Sequence, residues 1–61
     1  MTIVIKIKTD NAAFEERDAE IARIVREVAR WIDSEGIDDG AEARCRDLNG
    51  NTVGSVTVRG K

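Results

Sequence analysis

Hydrophobic and polar residues alternate along the first segment of the chain, which reads TIVIKIK over residues 2–8. Ile3, Ile5 and Ile7 occupy one side of this alternation, and Lys6 and Lys8 occupy the other. A period of two among β-branched residues predicts a half-buried strand. We therefore expect the isoleucines to face a core and the lysines to face water.

The pattern then changes to the spacing of an amphipathic helix. Asn11 ends a run of three possible N-cap residues, so the helix is expected to begin within a residue or two of it. Arg17 and Asp18 interrupt the apolar stripe and predict a bend or frayed turn, and Gly36 is the expected end of the helix. The predicted core-facing residues of the helix are Phe14, Ile21, Val25, Val28 and Ile32, widened by Ala22, Ile24 and Ala29, with Trp31 at the edge.

Two further segments, AEARCRDL and NTVGSVTVR, flank the dipeptide Asn49-Gly50. Asn-Gly between two strands is the strongest short-range signal for a hairpin, because a type I′ turn needs positive φ at both central positions. A two-residue loop at Asn49-Gly50 pairs Cys45 with Gly54. It places small residues and two valines of the hairpin on the core face.

Burial favours this register over its neighbours. A three-residue bulged loop is expected to turn Val56 and Val58 out to solvent, since a slip of one residue inverts a strand. In the chosen register the opposite face carries Glu42, Arg44, Arg46, Val53, Ser55, Thr57 and Arg59.

The order of the strands in the sheet is predicted from their charge and from the way the chain connects them. The third strand is the most apolar of the hairpin pair, whereas the second carries charges that suit a sheet edge. We therefore predict an α+β fold with the order β-α-β-β, in which one long helix packs on a three-stranded antiparallel sheet of order 1-3-2. Order 1-2-3 is the alternative, and it would create a parallel pair in a very small sheet. Residues 1–61 are expected to form a single domain.

The amino-acid composition argues against most kinds of catalytic or metal-binding site. Cys45 is the single cysteine and there is no histidine, so an internal disulfide and a zinc site are not expected. A cluster of acidic residues near Gly36 and Gly40 lacks the spacing of a calcium loop and is interpreted as a solvated acidic turn: Asp33, Glu35, Asp38 and Asp39. We predict no catalytic residue, no metal, no cofactor and no small-molecule substrate. The lone thiol and the lack of a signal peptide or apolar span predict a cytoplasmic protein that does not enter membranes.

One surface stands out despite a net charge of -2. The candidate partner-binding residues share the sheet face that points away from the helix, where only Glu42 opposes them: Lys6, Lys8, Arg44, Arg46 and Arg59. Such a face suits an acidic protein or a nucleic acid, and it also suits plain solvation. The absence of aromatic residues there argues against base stacking. A homodimer, formed by an edge strand or by stacked sheets, is a further expectation for so small a core.

The segments IKIKTDNAAFEERDAEIARIV and RDLNGNTVGSVTV resemble small proteins encoded by bacteriophages and prophages. The resemblance covers most of the chain and contains no motif that defines a function. It implies a phage-type accessory protein that acts by binding, for example by inhibiting a host defence protein as anti-CRISPR proteins do. It assigns no role to any residue.

Overall fold

The computed structural model describes residues 1–60, and it confirms the predicted α+β architecture. One helix packs on a three-stranded antiparallel sheet whose strand order is β1-β3-β2. The elements are β1 (Thr2–Ile7), a short 3-10 turn (Ala12–Phe14), α1 (Arg17–Glu35), β2 (Glu42–Arg46) and β3 (Thr52–Arg59).

The central strand β3 has the register predicted from the burial of Val56 and Val58. Val56 of β3 lies between Ile5 of β1 and Ala43 of β2. Val56 is fully buried and Val58 is 3% exposed. Cys45 pairs with Gly54, so the predicted register of the hairpin strands is confirmed.

The loop between β2 and β3 differs from the predicted two-residue turn. The backbone amide of Asp47 donates to the carbonyl of Asn51 at 2.9 Å, and the amide of Gly50 donates to the carbonyl of Asp47 at 3.0 Å. Gly50 has a φ of 86°, whereas no residue other than glycine has a positive φ in residues 1–60, so Asn49 is not left-handed. The type I′ prediction is therefore wrong: three residues form the loop, and Gly50 alone takes the left-handed conformation.

A β-bulge explains how a wrong loop and a correct register coexist. Arg46 pairs with Thr52, but the preceding residue Cys45 pairs with Gly54, so Val53 is an extra residue in β3. The bulge restores the register that the longer loop would have shifted by one. It also turns Val53 into the core, where it is 7% exposed. The prediction that Val53 lies on the outer face is therefore wrong.

The helical region is divided in two. Asn11 caps the 3-10 turn, because its side-chain oxygen accepts the amide of Ala13 at 2.9 Å. The continuous helix α1 begins only at Arg17, close to the predicted interruption, rather than next to Asn11. It ends at Gly36 as predicted, where φ is 75° and the amide donates to the carbonyl of Ile32 at 2.9 Å.

The core lies over β2 and β3 and leaves β1 partly uncovered. Its buried members are Phe14, Ile24, Val28, Cys45, Val53 and Val56. Ile24 is 1% exposed and marks the centre of the buried helix face, whereas Val25 is 43% exposed. Ile3 and Ile5 are 44% and 43% exposed, so the prediction that these residues and Val25 belong to the core is wrong. Alternation correctly predicts which side of β1 faces the helix, but the helix does not extend far enough across the sheet to bury Ile3 and Ile5.

Candidate interaction surface

A row of polar side chains crosses all three strands on the sheet face opposite the helix. Ser55 of β3 pairs with Lys6 of β1 on one side and with Arg44 of β2 on the other. Strands lie about 4.8 Å apart, so the two cationic residues originate about 10 Å from each other with a small hydroxyl between them. This spacing leaves the sheet surface between Lys6 and Arg44 open to a ligand.

A second pair of cations continues this surface toward the hairpin loop. Arg46 follows Arg44 on the same face of β2, and Lys8 follows Lys6 just beyond β1. Lys6, Lys8 and Arg44 line one shallow depression, whose floor is formed by β3. We define the basic patch as Lys6, Lys8, Arg44 and Arg46.

Arg59, the fifth candidate, is not part of this patch. It pairs with Thr2 at the far end of the sheet, four residues along β3 from Ser55. Four residues of strand span about 13 Å. The row between them contains Glu42, the acidic residue on this face, beside Thr57. The structure therefore brings together four of the five predicted residues and separates Arg59 from them.

The charges of the basic patch are not neutralised within the part of the chain that the structure describes. The ion pairs there join Arg17 to Asp18 and join Arg23 to Glu20 and Glu27, all on the helix. All four residues of the patch are exposed. Their positive charge is thus available to an anionic partner.

The molecule is also polarised between its two sides. The chain has ten basic and twelve acidic residues, and the sheet face carries five of the basic residues but one of the acidic. Five basic residues against eleven acidic ones remain for the helix, the turns and the terminus. The net charge of the chain is therefore close to zero although the sheet face is positive and the rest of the molecule is strongly negative.

A buried carboxylate holds the helix against the hairpin loop. Glu20 is 4% exposed and accepts two hydrogen bonds from Arg23, at 2.7 and 2.8 Å, and one from the amide of Leu48 at 3.0 Å. The bonds from Arg23 lower the pKa of Glu20 most, burial opposes them, and the amide of Leu48 lowers the pKa further. The same guanidinium donates to the carbonyl of Arg46 at 3.0 Å, which occupies part of the free edge of β2.

A second buried carboxylate determines the shape of the loop. Asp47 accepts the amides of Asn49 and Asn51, both at 2.9 Å, and the side-chain amide of Asn11 at 2.8 Å. Burial of Asp47 raises its pKa, but these hydrogen bonds outweigh that effect and the pKa is lowered overall. Sequence reasoning missed both carboxylates. The available signal was an Asp two residues before the Asn-Gly dipeptide, a position from which its side chain can cap the turn.

Cys45 is buried in the core, and Asp39 of the acidic turn accepts a backbone hydrogen bond. Cys45 is 4% exposed, and burial followed by the nearby charge of Glu27 raises the pKa of its thiol. The thiol faces the helix, on the side of the sheet opposite the basic patch. Residues 1–60 contain no group of three acidic or cysteine side chains placed to hold a metal ion. Asp39 instead accepts the amide of Gly60 at 2.6 Å, which ties the turn to the end of β3.

No protein-family model, no curated protein and no solved structure matches this chain. Within residues 1–60, no helix has both the length and the apolar character that crossing a membrane requires. The geometry and charge of the molecule are therefore the basis for the function proposed below.

Proposed function

We propose that this protein is a non-catalytic accessory protein of phage or prophage type, which binds an acidic protein of its host through the basic patch in the host cytoplasm. The observation that carries the proposal is a set of four exposed cations that form no ion pair within residues 1–60, on the open face of a sheet in an otherwise acidic molecule. A host defence component is one class of target that such binding would inhibit.

The chemistry of the patch favours a protein over a nucleic acid. Single-stranded nucleic acids are bound by stacking bases on aromatic side chains, and both aromatic residues, Phe14 and Trp31, pack on the helix side. The negative remainder of the molecule would also repel a long polyanion. A compact acidic surface contacts the patch alone and avoids that repulsion.

The test is affinity capture from bacterial lysate with a matched pair of charge reversals. Arg44→Glu with Arg46→Glu inverts half of the basic patch. Arg26→Glu with Arg30→Glu makes the same change of charge on the exposed side of α1. We expect a protein that the wild type and the helix variant both retain and the patch variant loses. Capture that is equal for all three chains, or no capture, would contradict the proposal.

Nucleic acid is the second candidate, because the same unneutralised cations would contact phosphates. Electrostatic binding to DNA is strongest at low salt, so a mobility shift with duplex DNA under that condition is decisive. A shift that disappears in the variant with Arg44→Glu and Arg46→Glu would favour this function. The neighbourhood of the gene gives an independent indication, since defence inhibitors and replication genes tend to form separate clusters.

A further inference from the structure

The strand β1 forms an open edge of the sheet with an unusual apolar exposure. Ile3 and Ile5 lie on the helix side of the sheet but are 44% and 43% exposed. Across the helix, Glu27 and Trp31 line the cleft that α1 makes with β2. Val25 is 43% exposed. Successive residues of a helix are 100° apart, so Val25 lies on the flank of α1 opposite Glu27 and therefore on the β1 side. Three exposed aliphatic side chains thus border this single edge.

The backbone of β1 is also available at that edge. The amide of Lys8 donates to the carbonyl of Val53 at 2.7 Å, and hydrogen-bonding direction alternates along an antiparallel strand. Val4 and Lys6 therefore bond to β3, whereas the amides and carbonyls of Ile3 and Ile5 point away from it. Within the described residues β1 contains no bulge and no proline, the devices that usually protect an edge.

The other edge of the sheet is protected, so the two edges are not equivalent. β2 carries three charged residues among five, and its pairing is irregular between Cys45 and Arg46. The guanidinium of Arg23 already occupies the carbonyl of Arg46. An approaching strand would therefore meet complete hydrogen-bonding groups on β1 and an obstructed edge on β2.

From these observations we infer that β1 is a self-association site, where a second copy of this chain pairs antiparallel with it about a twofold axis at Val4. The two copies then share one six-stranded sheet. This pairing uses a different surface from the basic patch and does not rest on the proposed function, although it places two such patches on one continuous sheet face.

The sequence of β1 is self-complementary in this register. Ile3 of each copy lies opposite Ile5 of the other, so the two most exposed isoleucines cover each other and form two hydrogen-bonded pairs. Val4 meets its own symmetry mate on the outer face. Lys6, the one charged residue of β1, lies opposite Thr2, and the two lysines are about 14 Å apart along the strands.

A twofold axis at Ile5 satisfies the same hydrogen-bonding direction but is less favourable. It places Lys6 opposite Val4 and brings the two lysines to within about 7 Å of each other along the strands. Like charges so close on paired strands are destabilising. The arrangement of charge therefore favours the axis at Val4 over the axis at Ile5.

The first experiment measures mass by sedimentation over protein concentrations of about 1 μM to 1 mM, because an interface formed by one strand pair is small and weak. We expect the mass to rise from that of one chain to that of two. Ile5→Lys, which directs a charge into the new pair, should weaken association at least about tenfold. Leu48→Lys is the matched control, since Leu48 is 65% exposed in the hairpin loop.

The second measurement identifies the edge that is used. Amide exchange of Ile3 and Ile5 should slow as the concentration rises, whereas Val4 and Lys6 should be protected at every concentration. Circular dichroism melting of the Ile5→Lys chain checks that it remains folded. A chain that stays monomeric throughout would overturn the inference. A dimer that survives Ile5→Lys, or that leaves the amides of Ile3 and Ile5 unprotected, would also overturn it.

Binding through the basic patch and self-association through β1 can be tested independently of each other. The variant with Arg44→Glu and Arg46→Glu should still dimerise, because neither residue lies on β1. The Ile5→Lys variant retains all four residues of the basic patch. Loss of acidic-protein capture alongside normal dimerisation would therefore remove the proposed function and leave the self-association intact.

Discussion

Glu20 on α1 accepts a hydrogen bond from the backbone amide of Leu48, 28 residues later in the hairpin loop, at a distance of 3.0 Å. The same carboxylate pairs with Arg23, one turn along the helix. A helix and a loop that are distant in sequence are thus joined through one buried side chain. Buried hydrogen bonds to a charged group are stronger than neutral ones, so this contact is expected to matter for stability.

Replacing Glu20 by Gln tests that contact. The change keeps the shape of the side chain but removes its charge, and it weakens the bonds from both Arg23 and Leu48. We expect the Tm to fall by about 5 °C. Glu27→Gln is the control, because Glu27 also pairs with Arg23 at 3.0 Å but its side chain is 55% exposed, and exposed pairs contribute little. Equal melting of the two variants would show that burial of Glu20 adds nothing.

Stability should also depend on pH through the two buried carboxylates. The folded-state pKa values of Glu20 and Asp47 lie below their ordinary values of 4.5 and 3.8. A lowered pKa means that the unfolded chain binds protons first, so the stabilisation is complete above the ordinary value and is lost as pH falls through the folded one. Urea unfolding should therefore give a constant free energy near neutrality and a decrease on acidification below about pH 4.5.

The acid-induced decrease should be smaller in a chain with both Glu20→Gln and Asp47→Asn. These amides cannot titrate, so the difference between this variant and the wild type should shrink as pH falls. A pH profile in the variant as steep as that of the wild type would assign the decrease to the exposed acidic residues instead.

Sequence reasoning succeeded where one local rule decided the outcome. The strand order and the burial of Val56 and Val58 follow from alternation and from charge on the edge strand, and both are confirmed. The loop depended on more distant groups, because Asp47 receives a bond from Asn11, 36 residues away. Alternation gives the side on which Ile5 lies, but it cannot give the width of sheet that one helix covers. The basic patch was predictable because it requires the register alone.

The β-bulge makes a specific prediction for Val53. In a simple two-residue hairpin this side chain would face solvent, whereas here it belongs to the same buried core cluster as Phe14. We expect Val53→Ala to lower the free energy of unfolding by about 1–3 kcal/mol. Val4→Ala removes the same atoms from a half-buried position on the outer face and should cost less. Urea unfolding compares them, and a harmless Val53→Ala would argue against the bulge.

Gly54 should resist any side chain. It pairs with both Cys45 and Ile7, and a Cβ built on it would overlap the backbone carbonyl of Lys6. The obstacle is backbone in a paired strand, so it cannot move aside without breaking the sheet. Gly54→Ala should therefore destabilise the protein by about 1–3 kcal/mol, the usual cost of overpacking. Ser55→Ala, at the next position, is the control and should leave the Tm close to that of the wild type.

Cys45 should react slowly with thiol reagents while the protein is folded. It is 4% exposed, so a reagent has little access to the sulfur. Burial together with the charge of Glu27 raises the pKa of the thiol, so little of the reactive thiolate is present. We expect an aromatic disulfide reagent to modify it at least about a hundredfold faster in urea. Cys45→Ala combined with Ser55→Cys is the control, because it moves the thiol between Lys6 and Arg44, where cations favour the thiolate. Fast reaction of native Cys45 would contradict this prediction and would mean that the core opens readily beside β2.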